Sequence, residues 1–335
     1  MMSLLILIAI MVAGTFVFND IGNRQVKVVK QSISVGGLNR DLEGFSILHL
    51  SDLHAAQLGK VQAMIASALN KLSYNIVCIT GDMVGESGDV QPFLQLLSLL
   101  KKDVPILFIP GDCDPAPLYT TAHDSLSVFA PYIIAAQAAG AIYLDAPYPL
   151  TVGKATVWFS PEGLFSMNAE TAIASCQGQI DRLNGLNASA TADGAAELRA
   201  WEYRLDEATR LQKAREKMQS TDYHIALSHG PLTYDYVRSV WDWQNDKGTS
   251  MQRVTLALAG HLNGGQWRLP GGGPIYVPGL GWFPEDRLVT GLSRVSTIAQ
   301  YISPGLGSSC NYPYQPGRLF NPPAITVLTL TAKPQ

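Results

Sequence analysis

Phe45-Ser-Ile-Leu-His-Leu-Ser-Asp-Leu-His54 decides the fold. A short apolar run that stops abruptly on polar residues reads as a central strand ending in a loop, because a strand buried on both faces needs apolar residues at successive positions. The pattern recurs at Asn75-Ile-Val-Cys-Ile-Thr-Gly-Asp82 and at Pro105-Ile-Leu-Phe-Ile-Pro-Gly-Asp-Cys-Asp114. Between these runs, Lys60 to Leu72 carries apolar residues at helical spacing, and a second helix is expected around Val90 to Lys101. Alternating strands and helices predict a mostly parallel sheet with right-handed crossovers, and ligands of such sheets sit beyond the carboxyl ends of the strands. All three polar clusters fall at those ends.

Upstream, Gln25 to Val35 alternates apolar and polar residues, as an edge or half-buried strand does. Downstream, the runs beginning at Thr156, His224, Val254 and Ala324 read as strands with fewer helices between them, which predicts a second sheet packed on the first. Between Ser166 and Asp222 two amphipathic segments, about Ala169 to Leu183 and Ala195 to Met218, predict a helical hairpin inserted into the strand pattern. Its place in the function is open: a surface elaboration, a cap over the substrate, or a contact surface.

From Met1 to Asn19 there is no charged side chain, and Leu4 to Phe18 is almost wholly apolar. Residues 1–20 are therefore expected to form an uncleaved membrane anchor near the short end of what spans roughly 30 Å of hydrocarbon, a cleaved signal being the alternative. The side of the membrane is left open. Lys plus Arg number 24 against 27 Asp plus Glu, so no attraction to nucleic acid is expected. Cys78, Cys113, Cys176 and Cys310 form no C-x-x-C pair, which argues against a structural zinc site or a disulfide framework.

Five clusters follow strand-like runs: Asp52-x-His54, Gly81-Asp82, Gly111-Asp112-Cys113-Asp114, His229-Gly-Pro and Gly260-His261-Leu-Asn263-Gly-Gly-Gln266. Mixed carboxylates and imidazoles suit divalent Mn, Fe or Zn. Asp82 can bridge two ions, and two ions about 3.5–4 Å apart hold a phosphate and activate water near neutral pH. A nucleotide-binding doubly wound domain is excluded, since no glycine-rich phosphate loop follows the first strand.

In this order the clusters resemble the signature of calcineurin-like metallophosphoesterases, and the chain looks like their membrane-associated bacterial branch. The resemblance runs from about Gln25 to Leu330 outside the helical insert. It implies an α/β fold, a four-layer αββα sandwich of two mixed sheets, over residues 25–332 with the insert at about 166–221. It implies hydrolysis of a phosphate monoester or diester, most simply a phosphodiester, by metal-activated water. One ion would be held by Asp52, His54 and Asp82, and the other by Asp82, Asp112, His229 and His261.

Three positions depart from the family pattern. Asp112 replaces an asparagine and adds charge. Asn263 replaces a histidine ligand of the first ion, which is expected to leave that ion loose or favour a harder one. Cys113 replaces the histidine that contacts phosphate and assists the leaving group, and a thiol of pKa about 8.5 is a poor proton donor in that role. The competing reading is a non-catalytic binding or scaffold protein with a degenerate site. Asp114 is expected to support a ligand by hydrogen bonding, His49, His224 and Cys78 to be packing residues, His123 to start a helix, and Trp282, Arg287 and Arg318 to line the substrate site.

Overall fold

The computed structural model describes residues 2–123, 127–241, 251–309 and 317–332. The chain runs through α1 (Met2–Asn23), β1 (Lys27–Ser34), β2 (Ser46–Leu50), α2 (Ala63–Leu69), β3 (Ile76–Thr80), α3 (Gln91–Leu99) and β4 (Ile106–Ile109). It continues with α4 (Pro131–Ala138), β5 (Ile142–Tyr143), β6 (Tyr148–Val152), β7 (Ala155–Pro161), α5 (Ala169–Gly185), α6 (Ala192–Lys217) and β8 (Tyr223–Leu227). Last come α7 (Tyr234–Trp241), β9 (Val254–Ala259), β10 (Tyr276–Val277), β11 (Gly281–Trp282), β12 (Gly291–Val295), β13 (Ile298–Ile302) and β14 (Ala324–Thr331).

Two six-stranded sheets, ordered β1-β14-β2-β3-β4-β5 and β12-β13-β9-β8-β7-β6, make the expected α/β sandwich of mixed sheets. In the first, β2 to β5 are parallel and the returning β14 lies antiparallel to β2. In the second, β7, β8, β9 and β13 are parallel, with antiparallel β6 and β12 at the edges.

Ile47, Ile76, Cys78, Leu107, Phe159, Ile225, Leu256 and Leu328 meet between the sheets, while Leu48, Val77, Phe93, Leu96 and Ile133 pack the outer helices on the first sheet. Alternate residues of one strand thus serve two cores, which is why the central strands are apolar throughout. The carboxyl ends of β2, β3, β4, β8 and β9 come together at one edge of the sandwich, and every polar cluster lies there.

The insert is a helical hairpin, α5 against α6, joined to the body by charge. Arg210 forks onto both oxygens of Asp145, Nη1 at 2.6 Å and Nη2 at 2.9 Å, and the Tyr203 hydroxyl donates to the same carboxylate. Burial and the Asp145 charge push the carboxyl of Glu207 beside them up to about 7.

The membrane expectation finds no support at this level. Residues 2–23 are helical, but the side chains of most of the apolar run lie outside the described residues, and among the described residues no helix is long and apolar enough to cross a membrane. The far end of α1 is tied to the body: Asn19 and Asn23 donate to the Arg318 carbonyl at 3.0 and 2.7 Å, and Asn19 Oδ1 accepts the Phe320 N–H at 2.7 Å. Cys310 lies outside the described residues.

Asp145→Ala strips Arg210 and Tyr203 of their shared acceptor, a loss of about 1–3 kcal/mol. The thermal midpoint should fall and α5–α6 amides exchange faster while metal stoichiometry stays. An unchanged midpoint would assign the attachment to apolar packing instead.

Candidate metal centre

The ends of β2, β3 and β9 bring their side chains to the site through an unusual backbone. Asp52, His54, Asp82, His261 and Asn263 all have positive φ, 54°, 48°, 55°, 72° and 48°. Non-glycine residues avoid this region, and such conformations persist only where surrounding structure enforces them, which is typical of functional sites. The enforcement is visible: Asp52 N–H donates to Gly81 O at 3.0 Å, His54 N–H to Asp82 O at 2.8 Å, and Gly307 N–H to Asp52 O at 2.6 Å. Glycine is required where the strand ends touch. A Cβ on Gly81 would lie 2.6 Å from Gly111 Cα, and one on Gly111 would lie 2.1 Å from Asp82 Oδ1.

Two donor groups form, and Asp82 belongs to both. Asp82, Asp112, His229 and His261 make one; His54, Asp82 and Cys113 make the other. In the first, Nε2 of His229 is 3.3 Å from Asp82 Oδ2 and 2.7 Å from Asp112 Oδ1. Nδ1 of His261 is 3.3 Å from Asp112 Oδ1 and 3.2 Å from His229 Nε2. Donors about 2.0–2.2 Å from one ion stand roughly 3.0–3.5 Å apart, so this spacing fits a divalent cation. His229 Nδ1 faces the Thr80 carbonyl at 2.8 Å, which fixes that nitrogen as the donor and aims Nε2 at the site.

In the second group His54 Nε2 is 3.4 Å from Asp82 Oδ2. The Asn263 amide lies against it, Nδ2 being 3.4 Å from His54 Nε2 and 3.2 Å from the His261 carbonyl, while Asn263 Oδ1 is fully buried with no hydrogen-bond partner. A buried oxygen costs roughly 1–3 kcal/mol when unpaired, and a cation is the partner this site's chemistry offers.

Asp52 is not gathered with either group. Its oxygens accept from the Ser51 hydroxyl and, at 2.8 Å, from His261 N–H, so its carboxylate supports His261; burial raises its pKa. Asp114 is likewise a supporting residue. It accepts Val84, Gly85 and Gly111 N–H, each at 2.9 Å, and ties the loop after β3 to the loop after β4.

Cys113 N–H donates to Asp82 Oδ1 at 2.9 Å, and burial followed by the Asp82 charge pushes its thiol up to about 12. In this electrostatic setting a thiolate nucleophile is disfavoured. His49 and His224 are buried with burial-lowered pKa values, about 3 and about 4. His123 Nε2 faces the Ser127 carbonyl at 3.0 Å and its ring packs on Tyr119; residues 124–126, through which a helix starting there would run, lie outside the described residues.

The expectation for Arg318 is corrected. It is buried and donates to the carbonyls of Pro304, Gly307 and Asn321, and Asn321 Nδ2 in turn donates to Asn263 O at 2.8 Å. It braces the back of the site, where backbone carbonyls take its guanidinium. Arg287 does line a cavity of about 1010 Å³, with Pro231, Leu262, Leu288 and Arg294; Trp282 is exposed on the β10–β11 hairpin against Tyr276 and is not among its lining residues. Ser51, Thr80, Ser309 and Asn321 were invisible as supports in the sequence: Ser51 acts on its neighbour Asp52, and the other three act across segments far apart in the chain.

The sequence profile of the calcineurin-like phosphoesterases (Metallophos) matches residues 45–263, a span that holds every residue of both donor groups. The chain belongs to the calcineurin-like phosphoesterase family. That family uses divalent metals, and the Asp and His cluster here is its metal-binding candidate. Among solved structures, the crystal structure of a phosphopantetheinyl hydrolase from Mycobacterium tuberculosis is similar at 14% identity, covering 78% of this chain and 89% of that one, with a TM-score of 0.39. No curated protein matches the sequence.

Without a cation the carboxylates hold protons on the histidines. Burial opposes charge on His229, yet hydrogen bonds to Asp112 and Asp82 outweigh it and lift the imidazole to about 11; Asp112 lifts His261 as well. The sign follows: this ion pairing stabilises the metal-free fold fully below about 6.5 and is lost as pH rises towards about 11. A metal must therefore displace at least one proton at neutral pH, and affinity should rise about tenfold per pH unit for each proton released. Calorimetry of zinc binding at pH 7 in buffers of different ionisation heat counts those protons; a count of zero would contradict the arrangement.

Proposed function

We propose that the protein hydrolyses phosphodiesters with good leaving groups, using one ion held by His54, Asp82 and Asn263 and another held by Asp82, Asp112, His229 and His261, with Asp52 supporting His261. The observation that carries this reading is Asp82, a single carboxylate that stands in both donor groups. Divalent ions in such a pair polarise phosphoryl oxygens and supply hydroxide near neutral pH. The chain's own residues then set the preference. Asp112 adds a negative charge at the half-exposed mouth, which opposes a dianionic monoester more than a monoanionic diester. No imidazole stands at position 113 to donate a proton, so leaving groups must depart with little help.

The cavity beside the site gives the organic part of the substrate a place. The loops after His229 and His261 both contribute to its wall, through Pro231 and Leu262; Arg294 supplies positive charge there, and Arg287 lines it paired with Glu285 at 2.5 Å. An apolar wall with a few placed cations suits an ester whose alcohol side is apolar and whose far end is anionic.

The Mn²⁺-loaded full chain should turn over bis(4-nitrophenyl) phosphate faster than 4-nitrophenyl phosphate. Asp82→Ala should reduce diester turnover by about 100-fold or more, because it removes the ligand common to both ions. Asp112→Asn should narrow the preference by about three- to tenfold, the worth of one nearby charge. Metal-loaded protein inert to both esters, with Asp82→Ala indistinguishable from the parent, would sink the catalytic reading in favour of a scaffold.

We further propose attachment to a membrane through residues 1–20, a reading supported by the uncharged run from Met1 to Asn19 in the sequence. Carbonate-washed membranes should retain the full chain and release a chain begun at Gly22; equal release of both would overturn it.

A further inference from the structure

The exchange of histidine for asparagine at 263 and of histidine for cysteine at 113 are two changes within one donor group. Asn263 takes an imidazole away from the ion of His54, and Cys113 brings a sulfur to the same place. The Cys113 side chain is buried, and its Sγ, His54 nitrogen and an Asp82 oxygen all lie within 4.8 Å of one another. Its backbone is fixed beside the site by the 2.9 Å bond from its N–H to Asp82 Oδ1. A second observation lies beside it: the fully buried amide of Asn263 has its Nδ2 3.4 Å from His54 Nε2, and its Oδ1 has no protein hydrogen-bond partner.

We propose that Cys113 is a thiolate ligand of the first ion, completing with His54, Asp82 and Asn263 a mixed sulfur, nitrogen and oxygen site. The inference rests on the metal-site reading above. As the metal–sulfur bond forms, the S–H bond breaks and its proton passes to buffer; no electron changes hands. Anionic sulfur replaces the donor strength that the amide at 263 lacks, and it turns the expectation of a harder ion around. A thiolate selects Zn²⁺, Co²⁺ or Fe²⁺ over Mg²⁺. Ser309, whose Oγ lies 3.9 Å from Sγ, is then a hydrogen-bonding neighbour of the sulfur.

The test is spectroscopic and uses the full chain. Cobalt-loaded parent should show visible ligand-field bands together with a near-ultraviolet thiolate-to-cobalt charge-transfer band. Cys113→Ser should lose the charge-transfer band entirely while keeping ligand-field bands from the second ion. X-ray absorption of the zinc-loaded parent needs no variant and should require about one sulfur for two ions, at about 2.3 Å. Ligand-field bands with the same near-ultraviolet spectrum in parent and Cys113→Ser, or a zinc shell of nitrogen and oxygen alone, overturns the assignment of Cys113 and leaves the metal centre standing. A parent that binds no cobalt or zinc overturns the metal centre itself, and the thiolate with it.

Discussion

Everything at the site depends on how closely the ends of β3 and β4 approach. Gly81 and Gly111 touch across the gap, and the carboxylate of Asp82 fills the space that any side chain at 111 would need. Asp82 is thereby held from behind by the Cys113 N–H and faced by His54 on one side and His229 on the other. A carboxylate shared by two donor groups must present its two faces in fixed directions, and here backbone contact between two parallel strands supplies the rigidity. Asp114, tying the two loops through backbone N–H groups, keeps that contact closed.

The central strands were legible because burial on both faces leaves an unbroken apolar run, as at Ile76–Thr80 and Ile106–Ile109. β12 and β13 were not. Gly291–Val295 is a partly exposed edge strand, and Ile298–Ile302 carries Gln300, whose side chain serves Leu232 rather than solvent. A polar residue spent on a distant backbone group hides a buried strand from pattern reading. The short α4 and α7 escaped for want of length.

At the site, the donor side chains that gather there were readable from spacing at strand ends, since carboxylates and imidazoles there have few structural uses. Their division of labour was not. Asp52 lends its carboxylate to the neighbouring Ser51 and to the His261 backbone 209 residues away, and Arg318 braces the loop behind Asn263 through Asn321, which reaches Asn263 across 58 residues. The substrate role expected of Arg318 fails for the same reason: its guanidinium is consumed by three carbonyls.

The left-handed backbone at Asp52, His54, Asp82, His261 and Asn263 carries a consequence for how such a centre can change. Asparagine, aspartate and histidine are the side-chain-bearing residues most at home in that region, and they are also hard or borderline metal donors. Conformational tolerance and coordination chemistry therefore draw on one short alphabet. Position 263 can exchange imidazole for amide without asking the chain to rearrange, so the inventory of donors is free to drift while the geometry that presents them stays put.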